Sequence, residues 1–129
     1  QSGLSQRIVN ALGLNKYSNS CPTPVEMSPL PKDPDGERTS GTINYASAVG
    51  MLLYLSSHSR PDLSFAVHQC ARYTFAPMKR HEKALLRIGH YLKGTIDKGL
   101  ILNPSDALHL NCYPDADFAG LWKIADHFR

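Results

Sequence analysis

Five of the nine prolines fall between residues 18 and 42, and this clustering constrains the chain more than any other feature. Proline fixes φ and removes a backbone donor, so regular helix or ladder structure is not expected to run through the stretch. Together with Ser, Thr and a "DPDG" turn signal, residues 18–42 are expected to form an extended linker or surface excursion. Packed structure is expected on either side of it.

Ahead of the linker, residues 1–17 hold Leu4, Ile8, Ala11 and Leu12 at helical spacing, with Gly13 as a stop. The main helical region is expected over 43–98. Asn44 can cap a helix whose positions 48–55 are apolar on nearly every side, which predicts a buried helix. Gly50 in its middle costs ~1 kcal/mol against Ala, a cost that close helix packing would offset. Leu63, Ala66, Val67, Cys70 and Ala71 form the stripe of a second helix that begins near Pro61 and closes at Pro77. A third helix, from about Met78 to Lys93 with Gly94 as its stop, presents Leu85, Ile88 and Leu92.

After Gly99 the period changes. "LILN" and "LHLNCY", separated by "PSDA", carry the signal of a β-hairpin over 99–129. The expected class is therefore α+β, mainly α, with three main helices followed by a hairpin.

Composition narrows the setting. Forty-two per cent hydrophobic and 19% charged residues suit a soluble globular chain. No apolar run approaches the ~20 residues of a membrane span, and no signal peptide is visible, so an intracellular setting is expected. Three separated cysteines argue for a reducing compartment. The net charge of +3 is modest, but residues 60–98 carry eight Lys or Arg against three acids. The basic excess sits on one segment.

Within it, Lys79, Lys83, Arg87 and His90 recur along one side of the third helix, with Arg80 beside them and Lys93 at the far margin. Such a ridge can track phosphates and release condensed counterions. A solvated helix face has the same pattern, and periodicity alone favours that plainer reading. The six histidines show no zinc-finger or HExxH spacing, and His81 reads as a packing or capping residue. In "LNCYPDADFAG", Asp115 and Asp117 share one side of an extended chain. A carboxylate pair suits Mg²⁺, although Asp is also common in turns.

Three ordered stretches, "YASAVGMLLYLSSHSRPDLSFAV", "HEKALLRIGHYLKGTIDKGL" and "YPDADFAG", together resemble the copia-type retrotransposon Pol polyprotein. The resembling region is the end of its reverse transcriptase and the start of its ribonuclease H. "SRPD" at 59–62, "YLKGT" at 91–95 and "DAD" from 115 are the motif positions.

The resemblance implies a thumb- or connection-like helical region that grips an RNA–DNA hybrid or duplex through Lys79, Lys83, Arg87, His90 and Lys93. It implies that Asp115 is the first metal-binding carboxylate of the ribonuclease H site, with Asp117 a less certain ligand. The polymerase aspartates would lie before Leu4 and the other ribonuclease H carboxylates after Arg129. Mg²⁺ is thus expected in the intact parent, with no tight binding and no catalysis by these residues alone. Pro114 departs from the family pattern, which admits a decayed copy. The rival readings are a small helical interaction module without chemistry and a DxD-dependent transferase, for which no nucleotide-binding βαβ unit is recognisable.

Overall fold

The computed structural model describes residues 2–14, 18–26 and 29–99. The first helix, α1, runs Ser2–Ala11 and buries Ser5, Ile8 and Val9, while Ala11 faces solvent. Its end is a Schellman turn. Gly13 takes φ +69°, its N–H bonds to the Asn10 carbonyl at 2.9 Å, and the Leu14 N–H reaches the Val9 carbonyl at 3.1 Å. A left-handed residue closes such a turn at least cost when it is glycine, as the sequence predicts.

Helix α2 runs Tyr45–His58. As expected, Asn44 caps it, its side-chain oxygen accepting from the Ser47 N–H at 3.0 Å. The expectation of burial on nearly every side is corrected. Tyr45, Ala48, Val49, Leu52 and Leu55 are buried, but Gly50 is exposed and Tyr54 is 54% exposed. The neighbouring elements cover one side of α2, and no atom approaches the place a Gly50 side chain would occupy. Close packing therefore does not explain that glycine.

The next helical stretch is shorter and more broken than its periodicity predicts. A 3₁₀ turn, Pro61–Leu63, leads into α3, Ser64–Ala71. The chain leaves α3 six residues before Pro77, through short bonds from Tyr73 and Thr74 to the carbonyls of Cys70 and Ala71. The Thr74 hydroxyl also donates to the Ala71 carbonyl at 2.8 Å, a second bond to an acceptor that has no continuing helix to fill it. Of the expected stripe, Leu63, Ala66, Val67 and Cys70 are buried, and Ala71 is half-buried against the core.

Helix α4 runs Lys79–Gly94 and buries Leu85, Ile88 and Leu92 against α1 and α3. Two glycines allow close approach here. A Cβ on Gly89 would lie 2.5 Å from Leu12 Cδ1, and one on Gly94 would lie 2.6 Å from Ser20 Cβ. Gly94 is thus the last helical residue and a contact point rather than a stop beyond the helix.

No strand occurs among the described residues, where the one isolated bridge pairs Arg38 with Met78. The expected α+β class is corrected: the described residues form an all-helical unit. The four helices bury their apolar faces on one another, so no sheet is needed to cover them. The hairpin that prompted the α+β expectation falls on 99–129, of which 100–129 lie outside the described residues.

Candidate nucleic-acid interface

The Pro-rich segment does not stand away from the helices. Residues 18–26 and 29–40 form a strap that runs antiparallel to α4. The middle of the strap is pinned by three polar contacts. The Leu30 N–H donates to Gln69 Oε1 at 3.3 Å, the Tyr73 hydroxyl donates to the Leu30 carbonyl at 2.8 Å, and His81 Nε2 reaches the Pro31 carbonyl at 3.1 Å. His81 also accepts the Met78 N–H at Nδ1 (3.0 Å) and stacks on Tyr73 with ring centroids 3.9 Å apart. Its ring both caps α4 and packs the core edge, as expected from sequence. Because Nδ1 accepts, Nε2 carries the proton.

Heptad-like spacing places the basic residues of α4 on the side away from Leu85 and Ile88, and much of that side lies under the strap. Lys79 Nζ contacts both carboxylate oxygens of Glu37 at 3.0 Å. Arg80 Nε lies 3.9 Å from Asp33. Arg87 donates from Nη2 to Thr23 Oγ1 at 3.0 Å and sits 3.7 Å from Glu26, while its buried Nε has no partner. His90 Nδ1 donates to the Asn19 carbonyl, and Lys93 Nζ donates to the Ser18 carbonyl, each at 2.5 Å. Lys83 is exposed, with no ion pair or hydrogen bond among the described residues. A cleft of about 600 Å³ opens between strap and helices, with Val25, Leu30 and Ile88 in its wall and Lys83 and Arg87 at its basic side. The residues expected to form one ridge do share one helix face. Asp115 and Asp117 lie outside the described residues.

At the other end of α4 a polar cluster, in which Arg60 and Thr95 are buried, joins "SRPD" to "YLKGT". Arg60 donates from Nη2 to Asp62 Oδ2 (2.7 Å) and to Thr95 Oγ1 (2.7 Å), and from Nη1 to the Thr95 carbonyl (3.0 Å). The Tyr91 hydroxyl donates to the same Asp62 oxygen at 2.9 Å. The hydrogen bond from Arg60 holds the Asp62 carboxyl below its ordinary pKa, and burial pushes the Tyr91 phenol up. The same bond raises the Arg60 guanidinium further. Arg60 and Thr95 are buried while Asp62 is exposed and Tyr91 half-buried, and the bonds among them tie α4 to the α2–α3 connection as a brace.

The chain is similar in sequence to known proteins. The retrovirus-related Pol polyprotein from transposon RE1 of Arabidopsis thaliana is 36% identical over 121 residues, which cover 91% of this chain and 8% of that protein. The corresponding polyprotein from transposon RE2 of the same plant is 40% identical over 98 residues, 76% of this chain and 7% of that protein. The chain is a homologue of one segment of these Pol polyproteins. That meets the copia-type expectation drawn from the three ordered stretches. A shorter relative, the uncharacterized mitochondrial protein AtMg00810 of Arabidopsis thaliana, is 31% identical over 124 residues, 93% of this chain and 49% of that protein. The chain thus spans less than a tenth of the two Pol polyproteins and about half of this shorter relative. No family model matches the chain. No solved structure matches it either.

Two features of this chain escape a reading by helical period. The first is the brace, whose members sit 35 residues apart in sequence at Arg60 and Thr95. Its signal is an Arg and an Asp flanking a helix-starting Pro, a pattern otherwise taken only as a family motif. The second is the acidic strap. All four acids of residues 1–59 fall between 26 and 37, opposite a segment with a basic excess, and that asymmetry is the signal.

Proposed function

We propose that this segment is the nucleic-acid-contacting helical region of a copia-type reverse transcriptase and ribonuclease H, and that α4 supplies the contact. Lys79, Lys83, Arg87, His90 and Lys93 would meet the phosphates of an RNA–DNA hybrid or duplex. The observation that carries this reading is the exposure and freedom of Lys83 on the same face as Lys79 and Arg87, in a chain homologous to transposon Pol polyproteins. Lys and Arg at successive turns can neutralise neighbouring phosphates without reading bases, which suits an enzyme that must hold every template. In the longer parent, which would carry RNA-directed DNA synthesis, Asp115 would serve as a ligand of the ribonuclease H Mg²⁺. A hard carboxylate oxygen is the donor that ion selects, and the bound ion would polarise the scissile phosphate.

Fluorescence anisotropy with a labelled hybrid, at several salt concentrations, tests the contact. Affinity should fall steeply with salt and vary little with sequence. Lys83→Ala should weaken binding uniformly and lower the log–log salt slope by roughly one. Its effect on folding should stay below about 0.5 kcal/mol. A folded protein that binds nothing at low salt, or a slope unmoved by the substitution, removes this assignment and leaves a helical interaction module.

A further inference from the structure

We infer that the acidic strap is an internal substitute for the phosphate backbone, so that a nucleic acid reaches α4 by displacing the strap's carboxylates. This rests on the nucleic-acid reading of α4 and adds how access to it is controlled. Three cationic residues of that face each have a strap carboxylate: Lys79 has Glu37, Arg80 has Asp33 and Arg87 has Glu26. The pairs follow opposite chain directions, with 26, 33 and 37 set against 87, 80 and 79. From Lys79 to Arg87 the helix rises about 12 Å, so three carboxylates cover a length along which one strand of B-form duplex presents about four phosphates. Strap and backbone are therefore competitors of similar charge density for one surface.

The pairing is also weak enough to exchange. The Lys79 and Glu37 side chains are 60% and 73% exposed, and ion pairs in water add little net stability. Arg87 is loosely paired too, with Glu26 3.7 Å away, and its buried Nε has no acceptor. A phosphate at that position would offer the several oxygens a guanidinium fork accommodates. The contacts that pin the strap at Leu30 and Pro31 involve Gln69, Tyr73 and His81 rather than the basic ridge. Displacement of the carboxylates leaves those contacts in place.

The test compares the full chain with Glu26→Gln/Glu37→Gln and with a charge-matched control, Asp35→Asn/Asp97→Asn. The control changes two exposed carboxylates outside these pairs. Circular dichroism first establishes that all three are folded, and anisotropy with a labelled RNA–DNA hybrid at low salt follows. The strap variant should bind roughly tenfold tighter than wild type, and the control should shift by no more than about twofold. Binding by wild type that is unchanged in the strap variant, or raised equally in the control, overturns this inference and leaves the α4 contact standing. Failure of all three proteins to bind overturns both.

Discussion

Arg60 and Thr95 are joined by two hydrogen bonds, from Nη1 to the carbonyl at 3.0 Å and from Nη2 to the hydroxyl at 2.7 Å. The Thr95 hydroxyl in turn donates to the Tyr91 carbonyl at 2.8 Å, so the Arg60 side chain also secures the last turn of α4. With its side chain only 8% exposed, the guanidinium depends on these acceptors and on Asp62 for what water would otherwise supply.

Arg60→Lys keeps the charge but replaces a planar fork of donors with three donors at one point, which cannot serve Asp62 and both Thr95 oxygens together. We expect a loss of about 2 kcal/mol, the scale of a charged hydrogen bond left unmade in a buried setting. Urea denaturation of the two proteins measures it. Equal midpoints with equal slopes would show that the brace adds nothing to folding.

The same brace makes stability depend on acid. Because the Arg60 bond depresses the folded pKa of Asp62 below 3.8, the folded state binds fewer protons than the unfolded state as pH falls towards that value. The contribution is complete above the unfolded pKa and is lost as pH drops through the folded one. Wild type should therefore exceed Asp62→Asn in denaturation midpoint at pH 7, with the gap narrowing from about pH 5 downward. A gap that stays constant to pH 3 would contradict the linkage.

How much of this could be read from the chain varies by element. Helices α2 and α4 were legible because caps and apolar spacing act locally: Asn44 bonds three residues on, and Leu85, Ile88 and Leu92 follow the helical period. The end of α3 was not, since Thr74 and Tyr73 close it by short bonds well before Pro77. The basic ridge was visible as a stripe, but its cover was not. Glu26, Asp33 and Glu37 meet α4 across more than 40 residues of chain, and no local period records that pairing.

Two glycines on helices should respond in opposite directions to alanine. Gly50 faces open space, so Gly50→Ala should stabilise by about 0.8–1 kcal/mol through helix propensity alone. At Gly89 the added methyl would meet Leu12 Cδ1 at 2.5 Å and Leu14 Cδ1 at 2.8 Å. Leu12 is itself buried, so it has little room to yield, and overpacking of this kind costs typically ~1–3 kcal/mol. Thermal or urea unfolding of both variants checks the contrast. Stabilisation at Gly89 would mean that α1 and α4 lie further apart than described.

Cys70 offers a probe of how often the helical core opens. Its thiol is 1% exposed, and burial pushes its pKa up to about 11, so at pH 8 only about one thiol in a thousand carries the reactive thiolate. Cys21 is a half-buried residue of the strap and is open to reagent by comparison. In a Cys21→Ser/Cys112→Ser protein, alkylation by iodoacetamide therefore reports Cys70 alone. We expect labelling at pH 8 to be at least about a hundredfold slower than in denaturant, because reagent reaches the sulfur only through opening of the core. Adding Arg60→Lys should accelerate it by about thirtyfold, the Boltzmann factor of a ~2 kcal/mol loss when opening precedes reaction and the brace is part of the opening unit. Labelling at the denatured rate would mean that Cys70 does not sit in the packed interior. A rate unmoved by Arg60→Lys, in a protein whose midpoint has fallen, would place the opening around Cys70 outside the unit the brace stabilises.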